Sequence, residues 1–253
     1  MLAFLLENKM KAKEEEFIVT QEWLEEMGAC RDGLQAFKHH FPNGGEALEV
    51  LKRCGEELGY EDLDYTDFTD FGVWLVSHLP TIYPPLVLNT FIGNLFYPDD
   101  VYIKSDISIQ EFMYIKGSLK VDGKLTVKTY GEVYTNKDII NADEVNLDEY
   151  AYLCSQIKAN SISLRHSAHI FGEVTADNIN LSGDAKISKN VIAKVINFKG
   201  GFIWGNVDAD EIINDGGFIG GDVNTIKIEN INGGSVAGKI TYKRSDEHNK
   251  ASY

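Results

Sequence analysis

Three cysteines, six histidines and several clusters of carboxylates are the places where this sequence could do chemistry. Nucleophilic catalysis needs a thiol or hydroxyl held beside a base. Cys30, Cys54 and Cys154 have no basic cluster near them, and no Gly-x-Ser-x-Gly elbow occurs. Each stands where a small apolar residue would suit, so buried structural thiols are expected. Metal binding needs convergent ligands. His166 and His169 form a close pair, and a trimeric solenoid enzyme could bind zinc with such a pair and a third histidine from a neighbouring chain. The other histidines (His39, His40, His78 and His248) supply no third in that part of the chain. The run Glu61-Asp62-Leu63-Asp64-Tyr65-Thr66-Asp67 lacks the central Gly and closing Glu of a calcium loop and reads as a solvated acidic face. Gly216-Gly217, Gly220-Gly221 and Gly233-Gly234 would cradle phosphate only ahead of a helix, and they fall at bends between strands. No catalytic, cofactor-binding or metal-ligating residue emerges, so a protein without enzymatic activity or cofactor is expected.

Recognition is the chemistry that remains. Phe171, Phe202, Trp204 and Phe218 recur at related positions, the last three 2 or 16 residues apart, which would stack them in a coiled chain. An exposed aromatic patch of that kind is an interaction or self-association site. The carboxylates of Glu56, Glu57, Glu61, Asp62, Asp64 and Asp67 are a second candidate surface, suited to a basic partner.

Charge and punctuation show which elements carry these groups. The chain of 253 residues has 39 acidic and 24 basic side chains, a formal charge of −15. Residues 1–100 hold −12 of it and residues 101–253 only −3. All five prolines precede residue 99, and 15 of the 23 glycines follow residue 100. So sharp a shift marks a boundary. An acidic helical domain with a connector is expected over 1–95, a solenoid over 96–245, and a flexible tail over 246–253. The acidity argues against direct nucleic-acid binding and against anionic membranes. The opening Met1-Leu-Ala-Phe-Leu-Leu6 is too short to span a bilayer and lacks the basic start of a signal peptide. With three cysteines at scattered spacings, a cytoplasmic protein is expected.

The first part has helical punctuation. Thr20 caps a helix through Glu22–Met27 that Gly28 ends. Leu34, Phe37 and Phe41 share a helical face, as do Ala47, Val50, Leu51 and Cys54. A fourth helix from Thr66 or Asp67 carries Phe71, Trp74, Leu75 and Leu79 to Pro80. Tyr83–Phe91 reads as an extended connector.

The second part is a repeat. Leu153, Ile170, Ile187, Ile203, Ile219 and Val236 stand 17, 17, 16, 16 and 17 residues apart. Four positions on come Ile157, Val174, Val191, Val207, Val223 and Ile240; six on come Ala159, Ala176, Ala193, Ala209, Thr225 and Tyr242. Nine on stand Ile162, Ile179, Ile196, Ile212 and Ile228, and eleven on Leu164, Leu181 and Phe198, then Asn214 and Asn230. Gly172, Gly205, Gly221 and Gly238 recur two positions on, where glycine would supply a positive φ. Asn136 starts an earlier turn with Ile140, Ala142, Val145 and Leu147 in the same columns. Period-two pairs inside a ~17-residue period are short strands whose inner side chains stack only if coils pile on one another. The expected fold is α+β, a small helical domain followed by a single-stranded β-solenoid of about eight coils. The column three positions on (Gln156, Glu173, Asn190, Asn206, Asp222, Lys239) is no ladder of phosphate-like charges, which argues against a DNA mimic.

Turns such as Ile170-Phe-Gly-Glu-Val-Thr-Ala-Asp-Asn-Ile-Asn-Leu181 and Ile203-Trp-Gly-Asn-Val-Asp-Ala-Asp-Glu-Ile-Ile213 resemble those of bactofilins, polymer-forming bacterial cytoskeletal proteins. The resemblance covers about residues 103–242 and implies a right-handed β-helix that polymerises. The helical domain ahead of the solenoid departs from that family, whose tails are short. Trp23–Cys30, with Gly33-Leu34, Phe37 and Phe41–Gly44, is similar to a helical motif of uncharacterised phage and prophage proteins. This implies a phage accessory.

The functional expectation is a non-enzymatic, phage- or prophage-borne accessory or inhibitor that binds a bacterial host protein, with the acidic helical domain as contact surface. The alternatives are a bactofilin-like scaffold oligomerising through its β-helix, and a β-helix transferase. A homo-oligomer is expected.

Overall fold

A computed structural model describes residues 16–57 and 67–244. Four helices come first: α1 (Gln21–Glu26), α2 (Arg31–His40), α3 (Ala47–Glu57) and α4 (Asp67–His78). Thr20 caps α1 as its sequence position requires, its Oγ1 accepting from the Trp23 N–H at 3.2 Å. Cys30 corrects the expectation of three buried thiols. It is exposed and caps α2, its Sγ accepting from the Gly33 N–H at 3.4 Å. A two-residue antiparallel pairing, Ile18–Val19 with Gly45–Glu46, ties the start of the helical segment to α3. Leu24, Phe37, Ala47, Val50, Leu51, Cys54, Phe71, Leu75 and Leu79 are buried together, the faces that the helical spacing marks out. No helix among the described residues is long and apolar enough to cross a membrane.

The rest winds into a parallel β-solenoid of about 9 turns. Every pairing within it is parallel. One inner row runs from Leu86 through Val101, Leu119, Ile140 and Ile157 to Val223 and Ile240. The row nine positions on runs from Ile107 through Leu125, Val145 and Ile162 to Ile228. The structure adds a third face. Leu95, Met113, Val133, Leu153, Ile170, Ile187, Ile203, Ile219 and Val236 pair in a continuous ladder. Most of these inward residues are wholly buried, so the stacked rows are the hydrophobic core.

Three details differ from the sequence reading. The coil count rises from about eight to about nine, because Leu86–Leu88 in the presumed connector pairs with Val101–Ile103 as the first rung. Val133, not Asn136, stands opposite Leu153; a bulge between Tyr134 and Ile139 absorbs the extra residues. The recurrent glycines at 172, 205, 221 and 238 are not in the positive-φ region. They are required by close approach: a Cβ on Gly172 would collide with the Ser155 carbonyl, and one on Gly205 with the backbone of Lys189.

The helical segment packs on the first two turns. The Asn94 amide donates to the Gly55 carbonyl at 3.0 Å, and the Lys116 ammonium donates to the Leu79 carbonyl at 2.6 Å. The Phe96 ring lies against Gly72, leaving no room for a side chain there. Helices and solenoid therefore share one apolar core.

Candidate functional site, an aromatic row along the third face

In the third face the residues on either side of each inner side chain point outward, by the alternation of a strand. The column before the inner row reads Phe112, Glu132, Tyr152, His169, Lys186, Phe202, Phe218, Ser235. The column after it begins Phe96, Tyr114, Tyr134, Cys154 and, by the same ladder, continues Phe171, Ser188, Trp204, Gly220. Aromatic rings thus follow one another down nearly the whole solenoid.

The rings touch in three groups. At the top, Phe96, Phe112 and Tyr134 step down at centroid distances of 5.4 and 5.5 Å. In the middle, Tyr152 and Phe171 stack 6.0 Å apart, and His169 lies 3.7 Å from Phe171. At the bottom, the Phe202 and Trp204 rings are parallel within 8° with centroids 6.1 Å apart, and Phe218 meets Trp204 edge-on at 5.6 Å. The four aromatic candidates therefore split. Phe202, Trp204 and Phe218 come together, whereas Phe171 joins Tyr152 and His169 one group higher. Trp204 and Phe171 are 54% and 42% exposed.

The acidic candidates do not form a described surface. Glu61, Asp62 and Asp64 lie outside the described residues. Glu57 ends α3 and Asp67 begins α4. Glu56 is exposed and pairs within its own helix, 3.9 Å from Lys52 and 3.7 Å from Arg53.

The possible catalytic groups are engaged in structure. Burial pushes the Cys154 thiol up to about 11, so it stays protonated at neutral pH. Burial, with Cys154 and Glu132 beside it, also raises the Tyr134 phenol, which donates to Glu132 at 3.0 Å. His166 and His169 have different partners. His166 bonds Asp148 at 2.5 Å from a left-handed corner (φ 53°), and His169 bonds Ser188 at 2.7 Å within the aromatic row. Burial first, then Lys186, holds the His169 imidazole below its ordinary pKa. Among the described residues no group of three His, Cys, Asp or Glu side chains is placed to hold a metal ion.

Sequence reasoning missed two things. The column Asn190, Asn206, Asp222 is a structural ladder: each side-chain oxygen accepts the backbone N–H of the next turn, at 2.9, 2.9 and 2.8 Å. A shallow groove beside it is lined by Asn206, Asp208, Asn224 and Thr241. Its polar groups are taken up internally, Asp208 by Lys243 at 2.5 Å and by Asn224 at 2.9 Å. Lys243 and Asn224 hold that carboxyl below its usual range. The second omission is the length of the aromatic row; Phe112, Tyr114, Tyr134 and Tyr152 stand beside inner-row residues, a signal obscured by the irregular early spacing.

Comparison with family models, with curated proteins and with solved structures gave no match.

Proposed function

We propose that this chain is a non-enzymatic binding rod, a phage- or prophage-borne accessory that engages a bacterial partner through the lower aromatic row. The observation that carries this reading is the grouping of Phe202, Trp204 and Phe218 on a stiff parallel ladder with Trp204 more than half exposed. Large apolar rings held rigid and open to water cost solvation in the free protein and lose little entropy on binding, the properties of an interaction anchor. A bacterial protein is the first partner to seek. Immobilised protein incubated with bacterial lysate should retain a component that the Trp204→Ala variant loses. Equal retention by both would overturn the assignment of this face.

A specific observation favours a second reading, a bactofilin-like scaffold that self-associates by its last turn. Val223–Thr225 pairs with Ile240–Tyr242, but Ile226–Ile231 has no strand on its outer edge among the described residues. Tyr242 and Ile231 there are 63% and 44% exposed. An open parallel edge with apolar side chains is a template for another chain. Light scattering should then give a mass that rises with concentration; a constant monomer mass removes this reading.

A further inference from the structure

We infer that the aromatic row from Tyr152 to Phe218 holds an extended polysaccharide whose pyranose rings carry sparse carboxylates. The inference rests on the reading of this face as a binding surface and adds the chemical class of its ligand. Five successive turns contribute, and parallel strands stack ~4.8 Å apart, so the row spans about 19 Å. An extended chain of pyranose rings advances by nearly the same distance per ring, so a repeating polymer meets equivalent groups at each step.

The row contains two aromatic platforms with a cation between them. Tyr152 and Phe171 form the upper platform, their planes 24° apart. Phe202 and Trp204 form the lower one, with planes 8° apart, and Phe218 extends it. Flat rings of this kind receive the C–H faces of sugars, which leaves the sugar hydroxyls free at the sides. The intervening turn presents Lys186, which pairs with His169 above and Phe202 below in the strand ladder. Lys186 makes no ion pair among the described residues, and exposed Lys189 follows on the same turn. The single carboxylate in the two outward columns, Glu132, stands above the upper platform and is bonded to Tyr134.

Charge complementarity chooses among ligands. An ammonium with no ion pair among the described residues, set between two aromatic platforms, suits a carboxylate on a sugar chain. A single-stranded nucleic acid would need a continuous positive groove, and Lys186 is the one lysine or arginine in the two outward columns.

Calorimetric titration of the full chain tests the inference with three six-ring probes: an oligomer of uronic acid, one of alternating uronic acid and N-acetylhexosamine, and uncharged cellohexaose. The expected result is saturable binding of the alternating oligomer, tighter than that of cellohexaose and of the fully charged uronic acid oligomer. Trp204→Ala should weaken all binding by at least about tenfold, and Lys186→Ala should weaken only the acidic oligomers, by about tenfold. Circular dichroism of each variant checks that the solenoid is intact. Absence of binding to all three probes, or binding indifferent to Trp204→Ala, overturns the inference. If no sugar binds but a Trp204-dependent bacterial protein is captured, the sugar assignment fails and the binding-rod reading stands. Loss of both removes both.

Discussion

The upper and lower ends of the aromatic row use the same outward columns and meet opposite fates. At the top, Phe96 is only 4% exposed because Gly72 of α4 lies on its ring, and Ser77 of the same helix reaches the Tyr114 hydroxyl at 3.3 Å. At the bottom, Trp204 occupies the column of Phe96 and Tyr114 and is open to water. The strand geometry is the same, so the difference is not local. One stretch has a helix of its own chain on it, and the other has none among the described residues. The covered end shows that this face can pack against a helix of its own chain, and the open end is the stretch to which the proposed partner is assigned.

Substitutions can break this contrast, and the largest effect belongs to the covered end. Phe96→Ala removes a buried ring between helix and solenoid and should cost ~3–5 kcal/mol in a urea unfolding titration. Gly72→Ala places a methyl group 2.7 Å from the Phe96 ring, and overpacking there should cost ~1–3 kcal/mol by the same titration. If both are silent, the helical segment is not held on the solenoid as described. The middle of the row should respond to pH. Burial, then Lys186, holds the His169 imidazole below its ordinary pKa, so its contribution to stability is present above the ordinary histidine range and is lost as pH falls from there through the lowered folded value. Thermal midpoints at about pH 7.5 and about pH 5 should differ less in His169→Gln than in the wild type. The smallest effect is expected at the open end. Trp204→Ala should change stability by no more than ~0.5 kcal/mol. A large loss there would mean that Trp204 packs as Phe96 does, and the contrast would disappear.

How much was legible follows from how each feature is encoded. The rows of the regular turns could be read because each turn contacts only its neighbours, so one period repeats the same physical demand. Val174, Val191 and Val207 are interchangeable answers to one environment. The early turns were harder to read, since the bulge between Tyr134 and Ile139 shifts the spacing without disturbing the ladder on either side. The recurrent glycines were correctly located but for a different reason. A close backbone approach, invisible in a one-dimensional pattern, excludes a Cβ at Gly172 and Gly205. The aromatic quartet was visible as spacing, yet its division between two platforms depends on Lys186 and Ser188 standing in the turn between them.

Periodicity alone therefore settled that the C-terminal part is a stacked parallel coil with aliphatic rows inside. That information is local and is written again in every turn. Tertiary structure decided which aromatic rings are covered, which thiol is exposed and where the helices sit. Those outcomes depend on single, unrepeated fits between distant segments, such as Gly72 against Phe96 and Asn94 against Gly55, and no period in the chain records them.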